Sequence, residues 1–311
     1  MPTTPESVRS RHRFALIGTV SLLALLTAVQ ILFYLYGYEF ESDLYLHGPL
    51  PTITVAVWLT AALGAILLNL PLPGKTLCFE LNIRSTMWID TASLLTAASL
   101  LATLALPVLF LNDGGDMLGK LLTSAEEADA TAKMMLIASI VLAIPAAFHF
   151  ILRFAHHKTY PQSACALLIW TAFSTLRVYF DMRYLLTSPR RIMHLVALLA
   201  VLFFLIAELR QARGIVNRRF YGIGASLVIV VAGCDAICNL LLAAMGHLSL
   251  GSEIANYLFL LTVTLYAATR LHALCTEEKA NEAQEADAPS APAATRCADS
   301  AEPAKEEEMP Q

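Results

Sequence analysis

"TAFSTLRVYFDMRYLL", residues 171–186, decides how the chain is threaded. It reads as a membrane helix until Arg177, Asp181 and Arg183 arrive within seven positions. The charge-free run before them, Ser163 to Leu176, is about 21 Å of helix at 1.5 Å per residue, too short for a hydrocarbon core of ~30 Å. If the segment crosses, Arg177 lies within the membrane thickness. Asp181 comes one turn later on the same face, and that face should point into a bundle rather than at lipid. If the segment does not cross, every later segment inverts.

The charges outside it arbitrate. With the N-terminus inside, Arg9, Arg11, Arg13, Lys75, Arg84, Arg153, Lys158, Arg210, Arg213, Arg218, Arg219 and Arg270 collect at the cytoplasmic face. The outer side then holds only Lys120, Lys133, Arg183, Arg190 and Arg191, as the positive-inside bias requires. Inversion after residue 186 would export Arg210, Arg213, Arg218 and Arg219, so the crossing is the better reading.

The remaining spans are set by composition. The 311 residues are 57% hydrophobic and 15% charged, with a mean hydropathy of +0.61, outside the balance of soluble domains. Apolar segments occur at about 14–37, 51–70, 91–111, 134–152, 163–186, 190–209, 220–244 and 253–273, each near the ~20 residues that span a bilayer. The expectation is an all-α, eight-helix transmembrane bundle over 14–276 with both termini cytoplasmic, preceded by a basic segment, 1–13. Arg9, Arg11 and Arg13 lead into an apolar run too long for a signal-peptide core, read as a retained first span. Ser124 with Glu127 forms a capping box before the fourth span, and Ser188-Pro189 supplies a cap and first-turn proline to the sixth. Residues 277–311 hold ten acids against Lys279, Arg296 and Lys305. This Ala/Glu/Pro-rich tail has too little apolar surface to offset the entropy of ordering and reads as disordered.

Several chemistries lack their residues. No lysine falls inside a span, there is no GxxxxGK[ST] loop, and no HExxH pair. Ser226 in "GIGAS" has no evident histidine to activate it. His149 and His272 sit toward the inner ends of two spans, but one imidazole pair of unknown facing is a weak haem signal beside hydrogen-bonded or interfacial histidines. Cys234 and Cys238 in "CDAIC" stand one helical turn apart without further ligands at their depth, as small residues at a helix crossing do. No cofactor, metal or nucleic-acid partner is indicated.

Asp235 differs, because an ionisable residue near mid-span marks a pairing or functional position. Glu208 reads as an interfacial charge reaching Arg210 or headgroups, and Glu253 as an acid suiting a helix N-terminus. Tyr34, Tyr36, Tyr38 and Tyr45 read as interfacial anchors. Counted from the inner ends of their spans, Gln30, Arg177 and Asp235 lie within roughly 3 Å of one depth. That coincidence leads to an expected Arg177–Asp235 pair with Asp181 as second acid.

Two functions remain. One is a non-catalytic scaffold or accessory subunit, in which Gln30, Arg177, Asp181, Asp235 and Asn239 form an internal polar network in the outer half and the tail recruits a protein partner. The other is a small-molecule transporter or ligand-binding sensor using that network as its binding site. The absence of Gly/Pro-broken helix pairs tilts toward the first. In architecture alone the chain resembles multi-pass proteins of bacterial inner membranes, a resemblance that brings no catalytic or binding residue with it.

Overall fold

The computed structural model describes residues 5–40, 44–45, 48–71, 87–109, 130–155, 160–180, 188–212, 217–248 and 254–287. They form eight helices: α1 (Pro5–Gly37), α2 (Leu50–Asn69), α3 (Met87–Leu109), α4 (Ala130–Phe154), α5 (Tyr160–Phe180), α6 (Pro189–Ala212), α7 (Arg218–Ala244) and α8 (Ile254–Asp287). Seven are long and apolar enough to cross a membrane; the apolar part of α3 among the described residues, Met87–Thr103, is shorter. Large apolar side chains face outward along these helices, among them Phe14, Ile17, Leu59, Leu63, Val141 and Leu199. A water-exposed surface would not tolerate such continuous apolar cover, whereas lipid requires it. The protein is a multi-pass helical membrane protein.

Neighbouring helices run antiparallel, and the interhelical bonds show it. Gln30 of α1 receives a bond from Trp58 of α2. His149 of α4 meets Ser163 of α5 while Trp170 reaches back to Ser139. Ser99 of α3 meets Thr262 of α8. Side-chain hydroxyls between helices mostly bond the preceding turn, as Thr19 does to Ala15, Thr96 to Ala92 and Thr264 to Leu260, so they enter the interior already satisfied.

The centre of the bundle is α7, whose apolar window is 67% buried against 22% for α1 and for α2. It packs on α1, α2, α6 and α8. Its middle, Val228–Ala232, is a π-helical turn of fully buried residues. Such a turn adds a residue and rotates the second half of the helix relative to the first. Just beyond it, a Cβ on Gly233 would stand 2.9 Å from Thr264 Cγ2 and 3.2 Å from Leu23 Cδ1. The glycine is what lets α7, α8 and α1 approach so closely.

Among the described residues one helix end differs from the sequence reading and another agrees. α5 is described as far as Phe180, residues 181–187 lying outside the described residues, and near that point Val178 O at 3.1 Å and Tyr179 O accept from the guanidinium of Arg191. These bonds tie the start of α6 to α5. α8 continues past residue 276 to Asp287, because "EEKANEAQEAD" consists largely of good helix formers. The expected start of the sixth span is found: α6 begins at Pro189 with Ser188 as cap, its Oγ 3.4 Å from the Arg191 amide. The remainder of the tail, 288–311, and the Ser124–Glu127 capping box lie outside the described residues.

Between α1 and α2 a two-residue hairpin pairs Tyr38 with Tyr45 and Glu39 with Leu44. It packs Tyr34, Tyr38, Phe40 and Tyr45 into an aromatic cluster with ring centroids 4.9–6.4 Å apart, and His247 stacks on Phe40. Tyr34 and Tyr38 are thus buried, and of the expected anchors only Tyr36, 81% exposed, clearly faces outward.

Candidate functional site

Buried polar side chains gather in two clusters, one at each end of the α6–α7 pair. At the end where α6 begins, Asp235 Oδ2 lies 2.8 Å from His194 Nδ1. Asn239 Nδ2 donates to Asp235 Oδ1 at 3.0 Å and to its carbonyl at 2.8 Å. Arg190 Nε donates to Asn239 Oδ1 at 3.1 Å. All four side chains are buried, and the edge of the imidazole packs on Tyr257 of α8. Alongside, Gln30 accepts from the Trp58 indole at 2.9 Å, and its Nε2 stands 3.4 Å from both Tyr45 Oη and Met193 Sδ. Burial raises the pKa of the Tyr45 phenol, which keeps it a neutral hydroxyl against the amide.

Asp235 and Asn239 are therefore brought together, and Gln30 lies beside them through Met193, the residue preceding His194. Arg177 is elsewhere. It lines a separate small cavity with Thr103, Ser139, Trp170, Ser174 and Asn256, on the face of α5 turned to α3, α4 and α8. The expected Arg177–Asp235 pair is not formed: the carboxylate goes to His194 and Asn239 instead. Depth fixes a level in the bilayer but says nothing of direction around the helix. α6 stands between α5 and α7, and the π-turn alters the facing of Asp235. Asp181, the expected second acid, lies outside the described residues.

The cluster at the opposite end has no counterpart in the sequence reading. Glu208 of α6 is 2% exposed and is met by four side chains from three other helices. Arg153 Nη1 of α4 lies 3.3 Å and Arg270 Nη2 of α8 3.1 Å from Oε1. Tyr266 donates to Oε1 at 2.7 Å and Tyr221 of α7 to Oε2 at 2.6 Å. Arg270 Nε also donates to Tyr221 Oη at 3.1 Å, and each guanidinium stands over a tyrosine ring, Arg153 on Tyr266 and Arg270 on Tyr221. The interfacial reading of Glu208 is corrected. A buried carboxylate persists only when its lone pairs are filled and its charge met, and here both conditions hold.

Other sequence candidates have modest roles. Ser226 is 2.8 Å from Asn69 Nδ2 and 3.1 Å from Thr19 Oγ1, an arrangement without a base to activate it. His149 bonds Ser163 at 3.0 Å, while His272 is exposed on α8. Cys234 and Cys238 are buried with sulfurs 3.8 Å apart, the latter 3.7 Å from the Thr27 carbonyl of α1, as small residues at a helix crossing. No group of three or more metal-ligating side chains occurs among the described residues.

One signal for the first cluster was present in the sequence: Arg190 and His194 on α6 share the four-residue step of Asp235 and Asn239 on α7, so antiparallel packing aligns them rung by rung. Compared with protein-family models, with curated proteins and with solved structures, the chain matches none.

Proposed function

We propose that this protein is a non-catalytic membrane scaffold or accessory subunit, crossing the bilayer eight times with both termini on the cytoplasmic side, in a cell membrane of the bacterial inner-membrane kind. The observation that carries the reading is that the ionisable side chains of its two buried clusters are engaged with one another. Asp235, His194, Asn239 and Arg190 are mutually bonded, as are Glu208, Arg153, Arg270, Tyr221 and Tyr266. Clusters of this kind fix the arrangement of helices and leave little polar surface for a passing solute.

The Glu208 cluster supports the proposed alternation of the last helices, joining the C-terminal ends of α4 and α6 and the end of the apolar stretch of α8 to the beginning of α7. In the scaffold role the lipid bilayer surrounds the bundle, and the cytoplasmic extension of α8 with the residues after it receives a protein partner.

A transporter or sensor is the second reading. It is favoured by one observation: His194 makes no hydrogen bond besides that of Nδ1 to Asp235 among the described residues, leaving Nε2 open to a ligand atom. Thermal unfolding of the purified protein against a broad metabolite panel at constant salt separates the two. The scaffold should show no solute-dependent stabilisation. A saturable rise in midpoint with one solute, abolished by His194→Ala, would replace it with the second reading.

A further inference from the structure

We propose that the seam between α1 and α2 holds one acyl chain of an anionic phospholipid, with Arg13 meeting its phosphate. The seam is a groove of about 580 Å³, within the ~300–1,000 Å³ of sites that enclose a small ligand. Phe14, Gly18 and Leu22 of α1 face Gly64, Leu67 and Leu68 of α2 across it, and the antiparallel run of the helices puts Pro71 at the Phe14 end. Every residue lining it is apolar. A Cβ on Gly18 would stand 2.9 Å from Leu68 Cδ1 and one on Gly64 3.2 Å from Leu22 Cδ1, so each glycine receives a leucine of the other helix and the groove runs along that joint. On other faces of the same helices, Thr19 and Asn69 both meet Ser226 of α7, at 3.1 and 2.8 Å, which fixes the two walls relative to each other.

The groove opens on the lipid-facing surface, since Phe14, Ile17, Leu63 and Leu67 along it are 57–68% exposed. Its occupant therefore comes from the bilayer rather than from water. Charge selects which occupant. Arg13 immediately precedes Phe14 and is exposed, Arg9 and Arg11 stand within the preceding turn of α1, and Glu6 is the one acid in residues 1–38. Basic residues at a membrane surface attract anionic headgroups, and a long arginine side chain reaches them from just inside the interface. A second copy in the same membrane has the same orientation, so pairing face to face through this seam would set Arg13 at the depth of its twin, like charge against like. The site needs only that α1 and α2 cross the bilayer, and it is the same in a scaffold or a transporter.

The test uses the full chain in a neutral detergent, titrated with phosphatidylglycerol, with phosphatidylcholine of the same chains, or with glycerol 3-phosphate, the retained molecules being counted by native mass spectrometry. One phosphatidylglycerol per chain should be retained, phosphatidylcholine should need about fivefold more lipid or above, and glycerol 3-phosphate should not be held. Arg13→Gln should raise the half-saturating phosphatidylglycerol concentration about fivefold, the ~1 kcal/mol of one arginine at an anionic surface, and leave phosphatidylcholine unchanged. Leu67→Trp, whose ring fills the groove, should weaken both lipids. Both positions are exposed, so neither variant removes a core contact, and equal thermal midpoints without lipid check that. Equal retention of the two lipids, equal retention of glycerol 3-phosphate, or lipid binding unchanged in Leu67→Trp would overturn the proposal. So would a dimer that Leu67→Trp dissociates, which would give the groove to a second copy.

Discussion

Nδ1 of His194 stands 2.8 Å from Oδ2 of Asp235, one helix removed from the arginine that depth alone assigned to that carboxylate. Along the same helix pair Arg190 meets Asn239, so the two contacts are successive rungs between antiparallel helices. Truncating either partner strands a buried polar group, at about 1.5–3 kcal/mol for a hydrogen bond to a charged group. His194→Ala and Asp235→Ala should each lower stability by that order, and the double variant should lose less than the two losses added. Chemical denaturation of all four proteins measures the coupling; strictly additive losses would refute the pairing.

Glu208 should be the most sensitive position in the protein. Glu208→Ala leaves Arg153 and Arg270 side by side without a counter-charge, and breaking a buried ion pair in this way costs about 3–5 kcal/mol. Arg270→Ala should cost more than Arg153→Ala, because the Arg270 side chain is 2% exposed and that of Arg153 11%, and water screens the latter. The ordering of thermal midpoints checks this. A Glu208→Ala variant as stable as the parent would show that the cluster contributes nothing.

Gly233 tests the close approach of three helices. Alanine gains roughly 0.5–1 kcal/mol in helix propensity, whereas overpacking costs roughly 1–3 kcal/mol. Thr264 cannot easily turn away, since its hydroxyl is held on Leu260 O at 2.7 Å. Gly233→Ala should therefore be destabilising by about 1 kcal/mol, and Thr264→Ser, which removes the opposing methyl and keeps the hydroxyl, should restore the loss in denaturation midpoints. Gly48, with nothing within 4 Å of an added Cβ, should accept alanine with a change of about 0.5 kcal/mol or less.

The helices were legible in the sequence because hydropathy acts over some twenty residues, and a window that long averages away local exceptions. Ser188-Pro189 was legible too, since a cap is set by adjacent residues. What stayed hidden was direction around each helix. Glu208 sits at a span end next to Arg210, where an interfacial charge and a buried one look alike; only its position opposite Arg153 and Arg270, at the ends of two other spans, tells them apart. The Asp235 environment depended further on the π-turn at Val228–Ala232, a departure that five ordinary apolar residues do not announce.

The threading is open to direct measurement. Reporter fusions after residues 45, 120, 187 and 248 should register on the outer side, and those after 75, 158, 214 and 280 on the cytoplasmic side. A cytoplasmic signal at 187 would remove the crossing by α5, and with it the alternation on which the proposed arrangement depends.

The Glu208 cluster also gives the making of this protein a direction. Arg153 enters the membrane before the carboxylate, Tyr221 soon after it, and Arg270 only 62 residues later. A nascent chain halted before α8 thus carries a half-clothed acid with a gap where Tyr266 and the second guanidinium belong. Docking of α8 closes that gap, since two of the four side chains that meet the carboxylate come from it. The Glu208 charge is therefore fully met only once a helix that follows it by a whole crossing has packed in place, which makes the assembly of the bundle an ordered affair rather than a simple succession of hairpins.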